Sequence, residues 1–389
     1  MHKKVVLKSG RDRSVLNRHP WIFSGAVKQL PDAANGEIVA VLDNSNHLLG
    51  YGFFSPQSQI TVRMFEFTHT EIDIGAHYWE SKIVSAHRLR KSCINFDTTN
   101  TYRLLHAEGD FLPGVIADVY NDVVVVQLLI RGTEIIKDQL FDALFSLGFS
   151  HIYLKTKQTT QRLEQVESTG WVGHSRKMPV EVKEHGVRFL IDVETGQKTG
   201  FFIDQRENRR ILGQLSKGKK VLNTFSYSGG FSLYALRADA SQVVSVDSSK
   251  EAIALCNENV ALNNFSHKHT GVVMDVFDYM KQADMDFDII ILDPPAFAKS
   301  AKALNNATRG YKNLNMAALQ RIKSGGMLFT FSCSQHMDKE LFRKVLFGAA
   351  ADAGRNVRIL QQLTQPEDHP INIYHPEGEY LKGLLLYVE

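Results

Sequence analysis

Cysteine is scarce in this sequence, long apolar runs are missing, and each shortage removes a class of protein. Its 389 residues hold three cysteines, Cys93, Cys256 and Cys333, scattered along the chain with no Cys-x-x-Cys pair. That excludes a disulfide framework and gives no zinc-type ligand set, so no metal is expected. No apolar run approaches the roughly 20 residues of a membrane-spanning helix, and no membrane partner is expected. Residues 1–10 carry lysines but neither an apolar core nor a small-residue cleavage site, so they do not read as a signal peptide and the expected location is cytoplasmic. A Gly-x-x-x-x-Gly-Lys-Ser/Thr loop and a Gly-x-Gly-x-x-Gly fingerprint are both lacking, which disfavours triphosphate and dinucleotide chemistry.

What is present is an ordinary globular composition, 43% hydrophobic and 22% charged, in a chain long enough for two or three domains. The net charge of +3 is unevenly spread. Residues 1–30 hold seven Lys/Arg, among them Lys3, Lys4, Arg11 and Arg13, against the single acid Asp12. A second basic cluster contains Arg88, Arg90 and Lys91. Such clusters match a polyphosphate partner or are simply a solvated face.

Three regions differ in pattern. Residues 1–70 read as short strands broken by turns such as Asn35-Gly36, a small all-β unit. Residues 71–185 open with a helical stretch beside the second basic cluster and continue as α+β, with a strand pair around Asn121-Asp122. Residues 186–389 alternate buried strands with helices, the pattern of a mostly parallel sheet covered on both faces.

Ligands in such sheets sit at the carboxyl ends of the strands, so the residues that follow each strand carry the argument. After the strand 220–225 comes Phe225-Ser226-Tyr227-Ser228-Gly229-Gly230, a turn that lets backbone approach a ligand. After the next strand comes Asp247, placed to accept from ribose hydroxyls, and after the third Asp275, placed to accept from an adenine amino group. Either acid can instead cap the helix after it. The ordered set, with no diphosphate cradle, fits an adenosine ligand without phosphates, of which S-adenosylmethionine is the common one.

Two further strand ends carry chemistry. Asp293-Pro294-Pro295-Ala296-Phe297 forms a stiff loop that can present carbonyls and a carboxylate to a base edge, with Phe297 available for stacking. Phe331-Ser332-Cys333-Ser334 follows the adjacent strand. Cytosine carbon-5 is a poor nucleophile, and a thiolate added to carbon-6 activates it, so Cys333 reads as nucleophile and Asp293 as the acid near ring nitrogen-3. A buried structural Cys is the plain alternative for Cys333 and the expectation for Cys93 and Cys256.

Taken together, Arg18-His19-Pro20-Trp21-Ile22-Phe23, Glu108-Gly109-Asp110-Phe111-Leu112-Pro113-Gly114, the run Gly196 to Asn208, Asn223 to Gly230, Asp293 to Phe297 and Ser332-Cys333-Ser334 resemble the bacterial 23S rRNA 5-methylcytosine methyltransferases with an N-terminal PUA domain. The resemblance covers nearly the whole chain. It implies a PUA-type β-barrel over 1–70, an α+β linking domain over 71–185 that helps grip RNA, and a Rossmann-like class I methyltransferase domain over 186–389. It also implies that Asn223, Phe225, Tyr227, Ser228 and Gly229 line the cofactor, that Asp204-Gln205-Arg206 closes over it, and that Cys333 attacks the base. The basic residues named above would hold phosphates of ribosomal RNA while Pro294, Pro295 and Phe297 meet a flipped base. One departure is Ala296, where several related enzymes carry a second Cys. Two other readings remain: an exocyclic-amino methyltransferase of rRNA or tRNA using the Asp-Pro-Pro-Ala-Phe loop, and a non-catalytic ribosome-assembly factor. The oligomeric state is open, a homodimer included.

Overall fold

The computed structural model describes residues 2–156, 169–281, 286–297 and 301–389. The chain divides into two compact units. One comprises Met1–Val182, Ile191–Phe201 and Glu367–Gly378; the other comprises Lys183–Leu190, Phe202–Pro366 and Glu379–Glu389.

The first unit contains two sheets. A six-stranded sheet runs Trp21–Phe23, Ile60–Glu66, Leu48–Phe54, Ile38–Leu42, Lys3–Leu7, Val27–Gln29 in spatial order. Alternating side chains such as Val5, Leu7, Val39, Val41, Val62 and Met64 turn inward to its core. A five-stranded sheet runs Gly170–Gly173, His151–Leu154, Val123–Leu128, Val115–Tyr120, Thr101–His106. The helices Ala76–Cys93 and Lys137–Ser146 contribute Trp79, Ile83, Leu140 and Leu144 to the core that this sheet shares. Three polar segments are sewn into the unit by buried charge. Arg90 makes a bidentate pair with Asp110 and donates to the Asp368 carbonyl at 2.8 Å. Arg103 grips Asp118 at 2.8 and 2.9 Å, and Asp118 accepts from Thr199 at 2.6 Å.

The second unit is a seven-stranded, mostly parallel sheet between helices. Its strands are β1 Lys220–Thr224, β2 Gln242–Asp247, β3 His269–Val273, β4 Ile289–Leu292, β5 Gly326–Ser332, β6 Val357–Leu363 and β7 Lys382–Val388. They lie in the order β3-β2-β1-β4-β5-β7-β6, with β7 antiparallel to both neighbours. This is the Rossmann-like arrangement, and the order reverses between β1 and β4, where such sheets bind ligands. Central strands are covered on both faces and so are apolar throughout: Ile289, Ile290, Ile291 and Leu292 are all fully buried. Each such side chain contributes about 1.5–3 kcal/mol of burial.

The helices are α1 Arg206–Leu215, α2 Gly230–Arg237, α3 Lys250–Leu262, α4 Val276–Met280, α5 Leu304–Arg321 and α6 Lys339–Ala353. Their ends are set locally. Ser249 caps α3 through Ala252 N, Asp338 caps α6 through Leu341 N, and Gly354 closes α6 at φ 64°. Helix α5 presents Ala307, Tyr311, Leu314 and Ala318 to the core. No helix among the described residues is long and apolar enough to cross a membrane.

Candidate active site

The turn after β1 is held in a conformation that few sequences tolerate. Phe225 (φ 52°), Tyr227 (φ 44°) and Gly229 (φ 83°) all lie in the left-handed region, two of them bulky residues for which this costs energy. Surrounding bonds impose the shape: Ser226 N donates to Val246 O at 3.1 Å, Gly229 N to Ser226 O at 2.8 Å, and Asn259 Nδ2 to Ser228 O at 3.0 Å. A Cβ on Gly229 would stand 2.5 Å from the Cys256 sulfur, so the turn lies directly on that side chain. Cys256 is thus structural, as expected, and burial pushes its thiol up to about 11.

Asp247 is the hinge of this corner. Its Oδ2 accepts from Tyr227 N at 3.0 Å and its Oδ1 from Ser249 N at 3.0 Å, so the carboxylate fixes the turn while each oxygen retains a further lone pair. Asp275 caps α4, with Oδ1 accepting from Phe277 N at 2.8 Å and Asp278 N at 3.3 Å, and its side chain is exposed. Asn223 requires a correction. It is 1% exposed, and its Nδ2 donates to Ser232 Oγ at 2.9 Å, within a chain that continues through Ser245 to His269. An amide committed inside the sheet supports the turn and does not line an open face.

Strand register brings the chemistry-bearing ends together. Thr224 pairs with both Val246 and Leu292, and Leu292 with Thr330. The residues that follow in each strand, Asp247, Phe225, Asp293 and Phe331 with Cys333 beyond it, therefore emerge side by side at the carboxyl edge. Asp293 and Cys333 are half-buried, Pro294 is buried and Pro295 exposed. Phe297 is half-buried, with its ring 4.6 Å from that of Tyr311, so one face is engaged in packing. The Tyr311 hydroxyl lies 3.1 Å from Ser334 Oγ. Cys333 is thus not sealed behind packed side chains.

The Asp204-Gln205-Arg206 segment is an anchored element, not an exposed flap: the three are 5%, 2% and 2% exposed. The Tyr380 hydroxyl donates to Asp204 Oδ2 at 2.8 Å and Asn208 Nδ2 to Gln205 Oε1 at 2.6 Å. Glu207 is held low, at about 2: burial opposes its charge, but hydrogen bonds from His185 and Arg210 and the charges of His185 and Arg206 outweigh it. Sequence reasoning missed Lys382, the first residue of β7, and Tyr380, which lies just before that strand. The signal was a lone lysine in Leu381-Lys382-Gly383-Leu384-Leu385-Leu386.

On the first unit, Lys3, Lys4, Arg11, Arg13, Arg88 and Lys91 are exposed, and Lys3 pairs with Glu37 at 3.1 Å. Arg11 and Arg13 line a cavity of about 480 Å³ with the exposed ring of Phe23. Arg90 is the second correction. It is fully buried against Asp110, so it cannot meet a phosphate; it is a structural cation. Cys93, expected to be buried, is exposed on the last turn of its helix. Among the described residues no group of three or more His, Cys, Asp or Glu could hold a metal ion.

The fold and this strand-edge site define a class I S-adenosylmethionine-dependent methyltransferase. A PUA-like domain model matches residues 5–67, and a model described as S-adenosylmethionine-dependent methyltransferase matches residues 146–377. The chain belongs to the ribosomal RNA large subunit methyltransferase I family. It is 41% identical to that protein from Alteromonas mediterranea over 396 residues, covering 100% of this chain and 99% of the relative. It is 39% identical to the one from Escherichia coli (strain SMS-3-5 / SECEC) over 392 residues, 98% of each. Among solved structures, a SAM-dependent methyltransferase from Streptococcus mutans superposes with a TM-score of 0.84 at 25% identity over 99% of both chains. SMU.776, a methyltransferase crystallised with SAH, gives 0.86 at 24% identity over 99% of both chains, a likeness of fold.

Proposed function

We propose that this S-adenosylmethionine-dependent enzyme methylates carbon-5 of a cytosine in large-subunit (23S) ribosomal RNA, with Cys333 as the nucleophile. The observation that supports this most is a partly exposed thiol at the end of β5, next in the sheet to the Asp293-Pro294-Pro295 loop.

The corner after β1 suits the cofactor. Gly229 leaves no room for a side chain beneath the turn, Tyr227 and Ser228 follow the same path, and Asp247 offers acceptor lone pairs for ribose hydroxyls. Asp275 uses one oxygen for its cap and is exposed, so its other oxygen would be available to an adenine amino group. When bound, S-adenosylmethionine supplies an electrophilic methyl group. The chain's own residues do the rest. The Cys333 sulfur bonds to carbon-6, and the ring electrons shift so that carbon-5 becomes nucleophilic toward that methyl. Asp293, when protonated or sharing a proton, stabilises the charge that develops at ring nitrogen-3. Loss of the carbon-5 proton to a base then re-forms the ring double bond and expels Cys333. Pro294, Pro295 and the open side of Phe297 bound the base.

Residues 1–70 and 71–185 would grip the RNA, with Arg11, Arg13, Arg88 and Lys91 on phosphates and Phe23 available for stacking. The test is the chemical identity of the product. Large-subunit RNA lacking the modification, treated with the enzyme and an isotope-labelled methyl donor, is digested to nucleosides. Label in 5-methylcytidine is expected; label in N4-methylcytidine or a methylated purine replaces this reading with the amino-group alternative.

A further inference from the structure

We propose that Lys382 is a positioning residue for the nucleophile: its ammonium, fixed beneath the Cys333–Ser334 backbone, holds the Cys333 sulfur in its thiolate form. The inference rests on the reading of Cys333 as nucleophile and supplies what that reading lacks, a reason for a strand-end thiol to be ionised near neutral pH.

The placement follows from register. In the antiparallel pair of β5 and β7, Lys382 stands opposite Ser332, one residue before Cys333. Its side chain is buried, 4% exposed, and Nζ donates to Ser334 O at 2.7 Å and Tyr380 O at 2.7 Å. An ammonium has three donor hydrogens, and the two carbonyls orient two of them. Cys333 acts electrostatically on Lys382 and also on Tyr311, whose hydroxyl meets Ser334.

Burying an ammonium is strongly unfavourable unless an anion stands beside it. Among the described residues, the charged groups that act most strongly on Lys382 are Cys333, Glu379, Asp338 and Lys339. Glu379 is paired with Lys339, and Asp338 caps α6. Both carboxylates are therefore already engaged. Burial pulls the lysine down from its ordinary value, and the charge of Cys333 is the largest opposing influence. The relation is mutual, so an ammonium stabilised by a thiolate stabilises that thiolate in turn. The step is an ionisation: the S–H bond breaks, its electron pair stays on sulfur and the proton leaves to solvent.

The experiment uses the full chain without cofactor, in a Cys93→Ser background because that thiol is also exposed. Alkylation of Cys333 by iodoacetamide is followed by peptide mass spectrometry from pH 5 to 10. The expected midpoint lies below the ordinary thiol value of about 8.5. Lys382→Met should raise it by about one unit or more, slowing alkylation at pH 7 about tenfold, while Lys382→Arg keeps most of the depression. A native midpoint at or above the ordinary value, or an unchanged midpoint in Lys382→Met, overturns the proposal. The native measurement decides even where the Met variant does not fold. The nucleophile reading fails separately, if Cys333→Ala still methylates carbon-5.

Discussion

Cys333→Ala is expected to lose carbon-5 methylation by on the order of 10⁴-fold or more while S-adenosylmethionine binding changes less than about threefold. The asymmetry follows from where the side chain stands. It emerges at the end of β5, whereas the cofactor corner is built by the turn after β1 and by Asp247. No other sulfur of this unit can substitute. Cys256 lies under the Gly229 turn, its Sγ 3.5 Å from Ser245 Oγ, and burial pushes it up to about 11, so it stays a thiol near neutral pH. Single-turnover methyl transfer and calorimetric cofactor titration check the two halves. An alanine variant that keeps a tenth or more of the native rate contradicts nucleophilic catalysis and favours methylation of an exocyclic amine, which needs no sulfur. A variant that also fails to bind the cofactor would mean that Cys333 supports the fold.

The second large effect is structural. Glu184 and Arg209 are 0% and 2% exposed and form a bidentate pair at 2.7 and 2.6 Å. Burial opposes the charge of Arg209, and the Glu184 carboxylate raises it above its ordinary value. Arg209 Nη1 also donates to Phe202 O at 3.0 Å, and Tyr234 donates to Glu184 Oε1 at 3.0 Å. Glu184 thus joins α1, through Arg209, to α2, through Tyr234, and Arg209 adds the segment that leads into Asp204. Arg209→Met strands a buried carboxylate and should cost about 3–5 kcal/mol. For a unit of this size that lowers the melting temperature on the order of 10 °C. Glu184→Met combined with Arg209→Met removes both charges and should recover most of the loss. Thermal unfolding of the two variants checks this, and a double variant as unstable as the single one would show that lost packing, not stranded charge, is the cause.

Local signals account for what the sequence revealed. Strands such as β4 announce themselves as unbroken apolar runs because both faces are covered, and the residues just after them form the ligand edge. That made the strand-end placement of Gly229, Asp247, Asp293 and Cys333 legible in one dimension. Long-range pairing was not. Arg90 sits in a basic cluster and reads as surface, yet it is neutralised by Asp110, 20 residues away. The Glu108-Gly109-Asp110 motif is likewise architectural: Glu108 accepts from Trp21 Nε1 at 2.8 Å, and a Cβ on Gly109 would meet Pro370 O at 2.1 Å. Asn305, Asn306 and Gly310 have low helix propensity, yet α5 runs through them because packing of Ala307 and Tyr311 overrides it. Lys382 arrives at the start of the antiparallel strand β7 and Tyr380 just before it, and no spacing rule connects them to residue 333.

Covalent capture tests the central claim most directly. An RNA substrate carrying 5-fluorocytidine lets sulfur add to carbon-6 and carbon-5 accept a methyl group, but fluorine cannot leave as a cation, so the ring cannot expel the thiol. With S-adenosylmethionine present, a denaturation-resistant protein–RNA complex is expected, with the crosslinked peptide containing Cys333. Absence of such a complex in an enzyme that methylates the unfluorinated RNA, or a crosslink at any other residue, would contradict it.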